Sequence, residues 1–358
     1  MFTSSRSSQT ASGRVTLPFL SHESFVAPTD KIALQNLQKL PILPVLMRKF
    51  NEVSMDQMWY AMNTAESVRC GHKQFKTVYD MMREACDILS VPEPELYVSY
   101  SPSYNAYTAG MSRTFIVLHS ALINDFSDDE LRFVIGHEVG HIKCGHLLYQ
   151  SMSQLLIPLL EALGTATLGV GQLVGASLLS GFLEWVRQAE FSCDRAGLLV
   201  CQDTEVALSA TMKLGCGKTR FEEEMSTSAF LEQARSYSDQ NQGLEGLAKA
   251  LLFMLYTRFL THPQVVFRAK GLDEWVKSGA YDRILRGDYK RDATGESQMG
   301  AQTQCPSCGK VVSTTIPFCP SCGTNLRSSN TTNCARCGDP IQPGIKFCLG
   351  CGYPTDQG

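Results

Sequence analysis

Apolar residues recur every three or four positions over residues 32–40 and 55–89, a helical period interrupted at Pro41 and Pro44. Residues 31–96 are therefore expected to be mostly helical. The pattern then changes. Leu96-Tyr97-Val98 predicts a short strand, and Thr114-Phe115-Ile116-Val117-Leu118, rich in β-branched and aromatic residues, predicts a stronger one. Residues 104–110 between them read as an extended edge segment. Ser127-Asp128-Asp129-Glu130 is a capping box ahead of an apolar-periodic run, so a helix starts there. Residues 155–183 contain no Lys or Arg and one acid, Glu161. Helices are expected again over 188–214 and 243–260. The polar stretch 287–304 reads as a linker. These elements predict an α+β fold, mainly α-helical, with a small sheet.

A core of ordinary size is expected, since 44% of the 358 residues are hydrophobic. The net charge of −3 gives no electrostatic reason to expect a nucleic-acid partner. The first 21 residues are Ser-rich, with Arg6 and Arg14 but no acid and no continuous apolar run. They lack a secretory signal, and without an amphipathic Arg-bearing helix they read as a tail in preference to a transit peptide. Residues 1–30 are thus expected to be a disordered tail. Without an export signal, the scattered Cys70, Cys86, Cys144, Cys193, Cys201 and Cys216 are expected to be free thiols in the cytoplasm.

The capped helix carries His137-Glu138-Val139-Gly140-His141. Two histidines four apart lie on one helical face and can share one zinc ion. The glutamate next to the first ligand can take a proton from the attacking water, whose acidity the metal raises. A third ligand is needed. His146 is near, but five residues beyond His141 is about 140° round a helix, so its ring is expected to point away, as a helix-end or surface histidine. A metzincin spacing would need Gly at 144 and His at 147, where this chain has Cys144 and Leu147. Of the acids downstream (Glu161, Glu184, Glu190), Glu190 is distinguished by Asp194 one helical turn further on. Such a carboxylate can ligate zinc while the aspartate orients a ligating histidine.

His137-Glu138-x-x-His141 followed by Glu190-x-x-x-Asp194 resembles the HtpX and CAAX-prenyl-protease family of zinc endopeptidases. Asn105-Ala106-Tyr107 resembles that family's edge segment, and Thr261-His262-Pro263 with Arg268 its late segment. The resemblance covers roughly residues 90–275. It implies a zincin-like fold of gluzincin type, with His137, His141 and Glu190 as zinc ligands, Glu138 as base and Asp194 behind the ligands. It also implies substrate added as a β-strand along Asn105, Ala106 and Tyr107. His262 or Arg268 would stabilise the oxyanion; the other reading of these two is a turn histidine and a salt-bridging arginine.

His141 precedes the apolar stretch 155–183 and Glu190 follows it, yet both must meet one ion, so the stretch cannot cross a bilayer once. It is expected to be a hairpin, spanning 150–186, with Gly164, Gly169, Gly171 and Gly175 near its turn. The hairpin would be buried in the fold, packed in a homo-oligomer, or resting peripherally on a membrane.

Beyond the linker, Cys305-x-x-Cys308 and Cys319-x-x-Cys322 repeat as Cys334-x-x-Cys337 and Cys348-x-x-Cys351. Each set of four thiolates suits one closed, structural zinc that would supply the module's folding energy. The repeat resembles double zinc-ribbon modules, ribbons 305–326 and 334–354, and makes three zinc ions in all, one catalytic and two structural. Residues 305–358 carry a balance of +2, too small to suggest nucleic acid, so a protein partner or autoregulation is expected. The protease domain would then be 31–286.

Two functions follow from this pattern. The first is an endopeptidase acting on unfolded or damaged polypeptides, with an adaptor tail. The second is a non-cleaving zinc-ribbon scaffold. The presence of ligands, base and orienting aspartate together favours the first.

Overall fold

The structure is a computed structural model. It describes residues 10, 12–38, 55–110, 113–147, 170–239, 246–249, 251–252 and 262–292, and in the C-terminal part 302–307, 309, 311–313, 332–333 and 340–341. Two compact units are present: residues 1–35 with 56–292, and residues 36–55 with 293–358.

In the first unit, the helical period of the N-terminal third becomes α1 (Pro28–Gln38), α2 (Met55–Glu66) and α3 (Lys76–Leu89). Between α2 and α3 lies the two-residue strand β1 (Val68–Arg69), so the run 55–89 is two helices rather than one. The predicted strands are β2 (Glu95–Ser99), β3 (Ala106–Ala109) and β4 (Phe115–His119). Their order is β1-β2-β4-β3. β2 and β4 run parallel, with Tyr97 opposite Val117, and are buried on both faces. β3 pairs antiparallel with β4 and is one edge of the sheet, as the segment 104–110 predicted.

Helix α4 (Ser120–Asp125) leads into α5 (Asp128–Lys143), whose capping box is formed as the sequence predicts. Ser127 Oγ accepts from the Glu130 N–H at 3.3 Å, and Glu130 Oε2 accepts from the Ser127 N–H at 2.8 Å. Glu130 is buried, and tertiary structure completes its partners. Lys213 Nζ donates to Oε2 at 2.8 Å and Ser209 to Oε1 at 2.6 Å, both from α7 (Thr204–Cys216). A signal for starting a helix thereby also ties α5 to α7.

Helix α6 (Val170–Cys201) is one 32-residue helix. Gly171 and Gly175 lie inside it, so the turn of the expected hairpin does not fall at either. Residues 148–169, with Gly164 and Gly169, lie outside the described residues, as does most of 243–260. Among the described residues, no helix is long and apolar enough to cross a membrane. α8 (Thr227–Asp239), α9 (Val265–Lys277) and α10 (Ala280–Leu285) close the unit.

The expectation of a disordered tail over residues 1–30 is corrected from Ser12 onward. Leu17, Leu20, Phe25 and Ala27 are core residues. The Gln202 side-chain amide pairs with both backbone groups of Val15, at 2.7 and 2.8 Å. The first part of the expected linker is also structured: Ser21 N–H donates to Lys290 O and Asp292 N–H to Phe19 O. The apolar residues here are too few and too irregular to show a period, so only their burial reveals them. Leu20→Ala is expected to destabilise the protein by about 3 kcal/mol, the usual cost of a buried Leu truncation. Urea denaturation checks this; an unchanged midpoint would restore the tail.

In the second unit, β5 (Gln302–Gln304) pairs antiparallel with β6 (Val311–Ser313), and β7 (Thr332–Asn333) with β8 (Pro340–Ile341). Cys305 follows β5 and is buried. Gly309 has φ +69°, and its N–H donates to Cys305 O at 2.9 Å, the tight turn a Cys-x-x-Cys-Gly knuckle requires. Cys308, Cys319, Cys322, Cys334, Cys337, Cys348 and Cys351 lie outside the described residues.

Candidate active site

Helices α5 and α6 approach closely because glycine lines their contact. A Cβ on Gly136 would lie 2.6 Å from Val200 Cβ, and one on Gly140 2.6 Å from Ala196 Cβ. Gly140 is the fourth residue of the H-E-x-x-H run, so the motif itself carries the space that lets α6 lie against it. That contact brings Glu190 and Asp194 over the two histidines. Glu190 Oε2 is 3.4 Å from His137 Nε2, and Glu190 Oε1 is 3.4 Å from His141 Nε2. Both rings and the carboxylate are buried.

His137 is oriented from behind. Its Nδ1 lies 3.0 Å from Asp194 Oδ1, and Arg268 of α9 grips Asp194 with two donors, Nη2 to Oδ1 at 2.5 Å and Nε to Oδ2 at 2.9 Å. Burial opposes ionisation of Asp194, but the guanidinium outweighs it and holds the carboxyl below its usual range. Burial likewise opposes charge on Glu190; His262 and His137 outweigh it and keep Glu190 well below the usual carboxylate range. Burial pushes His137 down, but Glu190 and Asp194 raise it to about 10. A cation binding here would displace that proton, so metal affinity falls in acid.

These donors suit zinc. Two imidazole nitrogens and a buried, ionised carboxylate converge, and Glu190 Oε1 has no hydrogen-bond partner among the described residues. Cys193 Sγ also lies within 4.8 Å of both histidines. It sits on another side, 3.6 Å from His146 Nδ1, and burial raises its thiol well above the usual range. Glu190 places one oxygen 3.4 Å from each motif Nε2, whereas the Cys193 sulfur also faces His146; both are candidate third donors to a cation held by the two histidines.

Glu138 faces the sheet edge. Thr108 Oγ1 of β3 donates to Glu138 Oε2 at 2.6 Å. A cavity of about 150 Å³ is bounded here by Asn105, Ala106, His137, Glu138, His262 and Arg268. Alternation along β3 puts Ala106 and Thr108 on the site's side. Tyr107 stacks edge-on against Phe115, with centroids 6.4 Å apart, and does not line this cavity. His262 Nδ1 is 2.6 Å from Glu190 Oε2, and its side chain is 46% exposed, so its ring stands at the mouth. His262 and Pro263 also border a larger cavity of about 950 Å³, walled by Phe191, Phe267 and Trp275, with Arg195 among its lining.

The structure thus brings together His137, Glu138, His141, Glu190, Asp194, His262, Arg268, Asn105 and Ala106. Arg268 is spent on Asp194, which supports its salt-bridging reading. His146 lies at the end of α5, as one of its two readings had it, but it is buried rather than on the surface. Helix α5 ends at Lys143, Gly145 turns the chain at φ +71°, and His146 is buried beneath His141. The helical projection to position 146 fails because the helix has already ended. Thr108 carried one usable signal, its two-residue spacing from Ala106 on an edge strand. Asp30, Ser192 and Cys193 carried none.

Comparison with known proteins identifies the family. Residues 72–276, more than half of the chain, match peptidase family M48, and residues 303–352 match the double zinc ribbon. The chain is 35% identical over 270 residues to the plastoglobule-localized metallopeptidase 48, chloroplastic, of Arabidopsis thaliana, covering 75% of this chain and 76% of that protein. It is 23% identical over 170 residues to a protease HtpX homolog of Persephonella marina, 41% of this chain and 58% of that protein. A crystal structure of S. mikatae Ste24p aligns with 72% of this chain and 67% of its own at 17% identity and a TM-score of 0.32. The match across residues 72–276 and the Arabidopsis relative lead to one conclusion: this chain belongs to peptidase family M48 and is a zinc metalloprotease.

Proposed function

We propose that the protein is an endopeptidase for unfolded or damaged polypeptides, with His137, His141 and Glu190 holding the catalytic zinc. The observation that carries this reading is the convergence of two imidazole nitrogens on the two oxygens of one buried carboxylate, at 3.4 Å each. A zinc ion held there supplies Lewis acidity to the scissile carbonyl and to the attacking water. Glu138, steadied by Thr108, takes the water's proton and passes it to the leaving amine. Substrate lies as an added strand along β3, an edge whose outer backbone groups suit an extended chain without regard to its sequence. That indifference to side chains is what a protease of unfolded proteins needs. His262 at the mouth stabilises the oxyanion, while Arg268 positions His137 through Asp194. Beyond the site, the substrate chain runs past His262 into the larger cavity.

The ribbons serve as a structural tail for a protein partner or for autoregulation, with one zinc in each. The apolar stretch 155–183 packs in the fold or in a homo-oligomer, or rests peripherally on a membrane; the Arabidopsis relative is plastoglobule-localized.

Metal analysis tests the zinc count. The full chain is expected to hold three zinc ions, and deletion of residues 301–358 to remove two while the third and the cleavage of an unfolded substrate remain. Loss of one, or of all three, would refute this division.

A further inference from the structure

The two motif histidines are supported differently. His137 Nδ1 meets a carboxylate directly, whereas His141 Nδ1 lies 3.2 Å from His146 Nδ1. The far nitrogen of His146, Nε2, is 3.1 Å from Asp30 Oδ2. Ser192 Oγ donates to the same oxygen at 2.5 Å, and the Ala27 N–H donates to Ser192 Oγ at 2.9 Å. His141, His146, Asp30 and Ser192 are all at most 2% exposed, so water does not compete for these bonds.

We infer that His146 and Asp30 are positioning residues for the zinc site, a relay that holds His141 with its Nδ1 protonated and its Nε2 free for the metal. The inference rests on His141 being a zinc ligand. Proton accounting leaves one arrangement. A lone pair at His141 Nε2 places the ring's proton on Nδ1. That N–H points at His146 Nδ1, which must accept and so carries no proton. The proton of neutral His146 is then on Nε2, where Asp30 Oδ2 accepts it. The reverse arrangement, with His146 donating to His141, would protonate His141 Nε2 and remove the ligand. Asp30 selects the productive arrangement by being able only to accept.

The chain builds this relay from three distant places. Gly145 turns the backbone so that the His146 N–H donates to His141 O at 3.0 Å. The ring of Trp185 meets His146 edge-on, with centroids 5.4 Å apart. Asp30 arrives on the first turn of α1. The segment expected to be a tail therefore ends in a residue that supports the metal site.

The test counts zinc retained by the full-length protein after dialysis against graded chelator, with circular dichroism recorded in parallel. Loss of such a supporting partner weakens metal binding about 10- to 100-fold. His146→Phe, which keeps a ring against Trp185 but accepts no proton, is expected to release one zinc equivalent at 10- to 100-fold lower chelator. Asp30→Asn, the same shape without the charge, is expected to shift release about 10-fold in the same direction. His146→Gln is expected to hold its zinc near the wild-type level, because its carbonyl can accept from His141 and its amide can donate to Asp30. The relay is overturned if folded His146→Phe holds zinc like the wild type, or if His146→Gln loses zinc as readily as Phe. Should His146→Phe not fold, wild-type retention in Asp30→Asn overturns it equally. Glu190→Gln separates the two readings: if it too keeps every zinc equivalent, the proposed ligand set has failed rather than the relay.

Discussion

Glu138→Gln is expected to lower kcat for an unfolded protein substrate by about 10³-fold, within the 10²–10⁴ that a general base contributes, while leaving zinc content unchanged. Glutamine keeps the shape of the side chain, and its carbonyl oxygen can still accept from Thr108 Oγ1, now 2.6 Å from Glu138 Oε2. The ligand atoms lie elsewhere: Glu190 meets the two Nε2 atoms, and Asp194 holds His137 from behind. What the substitution removes is the only carboxylate among the described residues that line the small cavity between β3 and α5. Steady-state cleavage together with metal analysis reads both halves of the prediction. Equal turnover by variant and wild type would remove Glu138 from its role. If neither protein cleaved any member of a broad peptide library, the non-cleaving scaffold would be the better reading.

Arg268→Ala is expected to destabilise the protein by about 3–5 kcal/mol, the cost of stripping one partner from a buried ion pair. Asp194 is 1% exposed and Arg268 6%, and the guanidinium meets both carboxylate oxygens. Without it, His137 is the hydrogen-bond partner left to Asp194 among the described residues, and burial then raises the carboxyl toward its neutral form. Arg268→Lys is expected to recover only part of the loss, because an ammonium cannot match both oxygens at once. Urea unfolding gives the energy directly. The outcome also decides between the two readings of this arginine. A residue that touched the oxyanion would lose kcat with stability intact, and such a result would exclude the positioning role.

Much of the catalytic side was legible in the chain. Ser127 and Glu130 announced the start of α5, and the motif within it placed both histidines on one face. The pairing of Glu190 with Asp194 at one helical turn was legible too, since both lie on α6. The supports of the site were not. His146 was misread because the projection assumed a helix that Gly145 had already ended. Residues 12–30 were misread because their apolar residues follow no period, and their burial depends on Gln202 and residues 290–292 far along the chain.

The sequence by itself determined the elements and the chemistry: the capped helix, the edge strand, the metal-binding residue types and the paired cysteines. Each is a matter of spacing between near neighbours, and backbone geometry translates such spacing directly into a face or a turn. Only the tertiary structure decided how His141 is held. Asp30 and His146 lie 116 residues apart, and Thr108 lies 30 residues from Glu138. Bonds across such separations come from how whole helices pack, here on the glycine contact between α5 and α6, and no local pattern records them.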